Sequence, residues 1–114
     1  MATIKRYNGS TIIEISDGIY KDAYGMKVYE LTDNKIKHYN VGNYLYEISD
    51  DVVRQYCGQQ LITFDGTYIR RYCGGIIYEL KGDVIKDFNC ANVYEINGRL
   101  SRAELMGLFA ILFA

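Results

Sequence analysis

The chain of 114 residues has no proline, no tryptophan and a single histidine. Without proline, no strand is confined to a sheet edge and no ladder loses a donor. Its lone histidine, His38, and three dispersed thiols, Cys57, Cys73 and Cys90, leave no Cys/His spacing suited to zinc. No long apolar run is present: the longest, residues 105–114, has ten residues including one glycine, whereas a spanning helix needs about 20. No apolar stretch follows Met1, so no secretory signal is expected. Charge of one sign is lacking too, with 13 basic residues against 14 acidic, which argues against the concentrated basic face of a nucleic-acid binder. Neither a glycine-rich phosphate loop nor a nucleophile elbow occurs. These absences predict a cytoplasmic, non-enzymatic protein with no catalytic residue, no cofactor and no metal.

What the chain does contain is a repeat. A β-favouring triplet recurs six times, as Ile13-Glu14-Ile15, Tyr29-Glu30-Leu31, Tyr46-Glu47-Ile48, Ile62-Thr63-Phe64, Tyr78-Glu79-Leu80 and Tyr94-Glu95-Ile96. The central residues step by 16, 17, 16, 16 and 16, so one supersecondary unit builds the fold. Each triplet precedes a turn pair, Asp17-Gly18, Asp33-Asn34, Asp50-Asp51, Asp65-Gly66, Lys81-Gly82 or Asn97-Gly98. Asp-Gly and Asn-Gly supply the two positive φ angles of a type I′ hairpin turn. The turn fixes register: Leu31 faces Ile36, Glu30 faces Lys37, Tyr29 faces His38 and Val28 faces Tyr39. In other copies Glu14 falls opposite Lys21, Glu47 opposite Arg54, Thr63 opposite Arg70 and Glu79 opposite Lys86. Such opposite-charge pairs stabilise a sheet by roughly 0.2–1 kcal/mol each, so these glutamates read as structural.

The termini complete the pattern. Ile4-Lys5-Arg6-Tyr7 is a second strand with no first strand before it, and Tyr94-Glu95-Ile96 is a first strand without its partner. Joining them, with Glu95 on Lys5 and Ile96 on Ile4, predicts a closed antiparallel meander of about twelve short strands. Closure removes both exposed edges. The hairpins occupy residues 3–100 of one domain. Ser101-Arg102-Ala103-Glu104 is a capping-box pattern opening a helix over residues 101–114, which has no polar face. A helix apolar all round is buried all round, and it fits the lumen of a barrel too wide for its own side chains to fill. Aliphatic pairs then face inward and the Glu–Lys pairs outward, because burying ions against the helix costs several kcal/mol per ion. Cys57 and Cys73, two strands apart, stand too far from each other for a disulfide and are expected as half-buried thiols in a reducing compartment.

A closed barrel around a C-terminal apolar helix resembles the plan of tubby-like and scramblase-type domains. The short Tyr-rich hairpins over residues 3–100 are similar to those of small bacterial β-flower proteins, a resemblance that implies a bacterial source. The tubby-like resemblance would imply phosphoinositide binding through clustered basic side chains. No such cluster stands outside the alternating pairs here, so that activity is not carried over.

Two sets of side chains stand apart from the repeat's structural positions. Arg6, Asp22, His38, Gln55, Arg71 and Asp87 occupy the inward position farthest from the hairpin turn, and would ring one mouth of the barrel. Their chemistry varies from copy to copy, as a ligand-binding mouth or an unconstrained solvated rim would. If they bind, replacing Arg71 or Asp87 should leave stability unchanged. On the outside, Tyr7, Tyr39, Tyr56, Tyr72 and Phe88 form an aromatic row interrupted by Ala23, suited either to an interface, a homo-oligomer included, or to covering Lys and Arg stems. The pattern therefore favours a binding or scaffolding module for a protein or small ligand. The alternatives are a lipid-binding barrel with a displaceable helix and, third, a hydrolase-like site using His38 with Asp22 or Asp87.

Overall fold

The computed structural model describes residues 2–114. Twelve strands run in sequence order, β1 Ala2–Arg6, β2 Thr11–Ser16, β3 Ile19–Asp22, β4 Lys27–Thr32, β5 Lys35–His38, β6 Tyr44–Ser49, β7 Val52–Gln55, β8 Gln60–Phe64, β9 Tyr68–Arg71, β10 Ile76–Lys81, β11 Val84–Asp87 and β12 Asn92–Gly98, followed by helix α1, Arg102–Phe113. Each strand pairs antiparallel with its neighbours, and β1 pairs with β12 to close the barrel. The closing register sets Ile4 opposite Ile96 and Lys5 opposite Glu95, so the two half-hairpins at the ends of the repeat make the sixth hairpin between them.

Five hairpins join a long first strand to a short second strand, and their register follows the repeat: Glu14–Lys21, Glu30–Lys37, Glu47–Arg54, Thr63–Arg70 and Glu79–Lys86 are all cross-strand partners. The turns are less uniform than the repeat suggests. Asp17-Gly18 and Asp33-Asn34 carry positive φ at both tip residues, as type I′ requires. In the next three hairpins positive φ is confined to one residue, Asp50, Gly66 or Gly82. There the second tip residue is Asp51, Thr67 or Asp83, none of which has positive φ. The tips of the last two therefore lie one residue later than Asp65-Gly66 and Lys81-Gly82. Asn97-Gly98 is not a turn at all, since both residues continue β12 and pair with Thr3 and Ala2.

Curvature comes from a feature that the repeat does not announce. At the junctions from each second strand to the following first strand the register slips by one residue, leaving Ile12, Val28, Leu45, Leu61, Ile77 and Val93 unpaired in the ladder. Six bulges at equivalent places bend and twist the sheet in equal steps, which is how a meander of short strands is brought round to meet its own start. The one step of 17 is absorbed beyond β5, where Lys37 pairs with Tyr44 across a loop one residue longer than its counterparts.

Ile4, Ile36, Val53, Ile69 and Ile85 occupy the same inward position on successive second strands and are wholly buried against Met106, Leu108, Phe109 and Ala110 of α1. Tyr20 takes that position in the remaining copy. It too is buried, and its hydroxyl donates to the Glu104 carbonyl at 2.7 Å. Desolvation first, and then the negative charge of Glu104, push the Tyr20 phenol far above its ordinary range. Room for the ring is made by Gly107, where a Cβ would fall on the Tyr20 hydroxyl and 2.7 Å from Ile36 Cδ1. The one glycine of the helix therefore receives the side-chain ends of Tyr20 from β3 and Ile36 from β5. Phe64 meets Phe109 edge-on at 4.9 Å, and Phe113 stacks on Tyr78 at 4.0 Å. No cavity is found among the described residues.

The start of α1 is fastened to the turn-bearing mouth. Ser101 Oγ accepts from Glu104 N–H at 3.1 Å, and Glu104 Oε1 accepts from Ser101 N–H at 3.0 Å, completing the capping box. Glu104 Oε2 also accepts from Gly18 N–H at 3.0 Å, and Arg102 pairs with Asp51 at 2.5 Å. Partial desolvation raises the Glu104 pKa, but the backbone N–H groups of Ser101 and Gly18 outweigh it and hold the carboxyl below its usual value. Running from this mouth, α1 ends with Phe113 between Tyr78 and Tyr94 near the opposite one. No helix among the described residues is long and apolar enough to cross a membrane.

Gly107→Ala should lower unfolding free energy by about 1–3 kcal/mol or more through overpacking. Adding Tyr20→Ile, which restores the residue type of the other copies, should recover part of the loss, and urea denaturation of the four proteins in the cycle measures the coupling. Glu104→Gln should cost about 1 kcal/mol at neutral pH from weakened hydrogen bonds. Because folding lowers the pKa of Glu104, its carboxylate stabilises above the ordinary carboxylate value, and this contribution is lost as pH falls through the folded one. The variant's stability curve should accordingly converge on that of the parent protein in acid.

Candidate functional site

The two mouths of the barrel differ. At one, the hairpin tips carry Asp17, Asp33, Asp50, Asp51, Asp65 and Asp83. At the other, loops of four or five residues join second strands to first strands, and Arg6, Asp22, His38, Gln55, Arg71 and Asp87 end the strands that enter them. These six share the inward side of Ile4, Tyr20, Ile36, Val53, Ile69 and Ile85, two residues away along each strand. Arg6, His38, Gln55 and Arg71 are exposed, while Asp22 and Asp87 are partly buried.

Within this ring the two aspartates have a defined task. Asp22 Oδ1 accepts from Tyr24 N–H at 2.9 Å and Met26 N–H at 3.0 Å. Asp87 Oδ1 does the same for Asn89 and Ala91, at 2.9 and 3.0 Å. In both loops the left-handed residue is the third after the aspartate, Gly25 or Cys90. After Arg6, His38, Gln55 and Arg71 it is instead the second: Asn8, Asn40, Cys57 or Cys73. All six loops have an i to i+3 backbone bond, with positive φ at its third residue in four of them; an aspartate at the strand end adds two bonds accepted by its own side chain and moves the positive φ one residue on. The variation in the ring accordingly tracks loop geometry at two positions of six, and Asp87, grouped with Arg71 in the sequence, differs from it in bonding to its own loop. His38 is stacked on Tyr29 at 5.1 Å, and no described side chain joins it to Asp22 or Asp87 in a hydrogen bond.

The outer aromatic row divides. Tyr39 lies under Lys27 Nζ at 5.2 Å and is only partly exposed. Tyr56 packs against Tyr44 at 5.1 Å, and Lys35 Nζ lies over Tyr44 at 5.4 Å. The negative charge and hydrogen bonding of Cys57 push the Tyr56 phenol above its ordinary value. Tyr72 and Phe88 are more open, Tyr7 is about as exposed as Tyr56, and four residues outside the expected row join them: Tyr24, Met26, Val41 and Ile76. Tyr24 is 91% exposed, Phe88 70% and Met26 67%. Together with Tyr56 these are the exposed large hydrophobics of the described chain, and every one lies in or beside the loops from second to first strands. Tyr24 is foreshadowed by the shift of glycine to Gly25, which moves the loop tip one residue beyond Ala23; Met26 and Val41 carry no comparable signal.

Cys57, Cys73 and Cys90 occupy this rim as well. All three are unpaired and exposed, not half-buried, because each takes the left-handed corner of its loop, with φ of 56°, 58° and 66°, and a side chain there projects from the turn. The left-handed corner next to Gly74-Gly75 is accordingly Cys73. Among the described residues no group of three or more His, Cys, Asp or Glu is placed to hold a metal.

On the outer wall the register pairs are mostly not ion pairs. Glu30 and Lys37 meet at 2.9 Å, whereas Arg70 pairs with Asp65 at 3.0 Å and Arg54 donates to the Gly58 carbonyl at 3.3 Å. Asp65 is held below the ordinary carboxylate range chiefly by the N–H groups of Tyr68 and Thr67, which it caps in its own turn.

Comparison of the chain with models of protein families, with curated proteins and with solved structures yields no match.

Asp87→Ala should lower stability by about 1 kcal/mol through two lost loop bonds, Asp87→Asn should retain most of it by keeping the Oδ1 acceptor, and Arg71→Ala should have almost no effect. Thermal melting of the three variants separates the loop-capping members of the ring from the free ones.

Proposed function

We propose that this protein is a non-enzymatic binding module whose contact surface is the loop-bearing mouth of its barrel. One observation carries the reading: the exposed large hydrophobics gather on the loops at that end, and the opposite end is edged with aspartates. Grouped exposed apolar surface bordered by polar residues is the mark of an interaction site, and tyrosine adds contact area at low entropic cost. The rim cations alternate with carboxylate and amide groups, an arrangement that suits a protein surface better than a polyanion. Three free thiols on this rim fit a reducing cytoplasm. A barrel that admits an apolar guest by releasing α1 is less favoured, because release would break the capping box, the Glu104 bonds and the fit of Gly107 beneath Tyr20.

The test is a photo-crosslinking residue placed at Phe88 or, as control, at Asp33 on the opposite mouth, with the protein produced in its native cell. Discrete adducts from position 88 that disappear when Tyr72 and Met26 are replaced by Ser are expected, with none from position 33. Equal labelling from both mouths would overturn the assignment.

A further inference from the structure

The proposed contact surface also specifies a partner. Around the ring, in spatial order, stand Arg6, Asp22, His38, Gln55, Arg71 and Asp87, one from each hairpin of the closed barrel. Basic side chains (Arg6, His38, Arg71) therefore alternate with acidic or amide ones (Asp22, Gln55, Asp87). A ring of six with this alternation is complementary to itself. When two copies are placed mouth to mouth about a twofold axis lying in the plane of the mouth, an axis passing between adjacent hairpins sets every basic position over an acidic or amide one. An axis passing through a hairpin sets arginine on arginine or aspartate on aspartate. Three axes of the first kind exist, and all three match throughout.

From this we infer that the loop-bearing mouth docks onto the same mouth of a second copy of this chain, forming a closed twofold dimer; the inference rests on the mouth being the contact surface. Three further features fit. The backbone bonds of Asp22 and Asp87 use Oδ1 alone, so Oδ2 of each keeps its lone pairs for a guanidinium opposite. The molecule measures 38 × 34 × 18 Å, and its short dimension matches strands of four to seven residues at about 3.3 Å per residue, so the mouth is the broad face. An ellipse of the two long diameters encloses roughly 1,000 Å², against the ~800 Å² per partner of a standard interface. Stacking mouth to turn end in an open series would match basic against acidic groups as well, but it would leave the aromatic rim facing a turn mouth with no exposed large hydrophobic side chain.

Sedimentation velocity of the full chain, in low salt with a reductant to keep the three thiols free, should show a concentration-dependent dimer that weakens as salt is added. Two variants test the pairing. Arg6→Glu with Arg71→Glu makes the ring acidic, and Asp22→Asn with Asp87→Asn makes it basic while keeping the acceptors that close the loops. Each alone should dimerise at least about tenfold more weakly, since carboxylates face carboxylates in the acidic ring and the arginines of the basic ring lose their carboxylate partners, and an equimolar mixture of the two should associate again. Circular dichroism establishes that both remain folded. A parent protein that stays monomeric into the submillimolar range overturns the inference, as does a dimer indifferent to the acidic ring or a mixture that fails to associate. Crosslinks from position 88 to a different protein, alongside a monomeric parent protein, would remove the second copy as partner while leaving the mouth as the contact surface.

Discussion

The contact between helix α1 and the inner wall of the strand ring is what the remaining structure rests upon. Twelve strands enclose a lumen wider than their own side chains can fill, and an empty apolar lumen forfeits both dispersion contacts and hydrophobic gain. The helix supplies Met106, Leu108, Phe109 and Ala110 to that space, all buried. In return the ring buries backbone that has no polar face to offer water. Neither part is a plausible stable unit alone: a sheet of short strands without its plug has no core, and a twelve-residue helix is marginal in water by itself.

The helix also breaks the sixfold regularity of the ring. Five inward second-strand positions are aliphatic and one is Tyr20, and against Tyr20 the helix places its only glycine. A phenol in the core has to find a hydrogen-bond partner, and the Glu104 carbonyl is within reach because Gly107 allows the close approach. Glu104 in turn ties Gly18 and Ser101 to the same corner. One small cluster thus fastens the start of the helix at the turn mouth, while its end packs through Phe113 on Tyr78 and Tyr94 towards the other.

That division of labour makes the loop-bearing mouth the place to look for function. The turn mouth anchors the helix through Glu104 and Arg102 and is edged with aspartates. The loop mouth collects aromatic and aliphatic side chains in the open, around a ring of alternating charge. Two of the loops expose more than the repeat suggests, because the aspartate at the strand end shifts the left-handed corner by one residue and lifts Tyr24 or Asn89 to the tip.

Strand number, register, closure through the two half-hairpins, the capping box and the buried tail were all legible in the residues, since a repeat at constant spacing states its pairing six times over and an all-apolar helix has only one place to go. The mouth ring was legible as a set of positions for the same reason. The bulges at Ile12, Val28 and their equivalents were not, because an unpaired aliphatic residue has the same composition as a paired one. Nor were the outward thiols, the use of Asp22 and Asp87 as loop caps, or the gap between facing in register and meeting as ions at Glu47 and Arg54. Each depends on backbone angles or on side-chain reach across a curved wall, quantities that local periodicity does not carry. Spacing along the chain dictated which residues stand opposite one another; the curvature needed to close the ring decided which of them touch and which face the solvent.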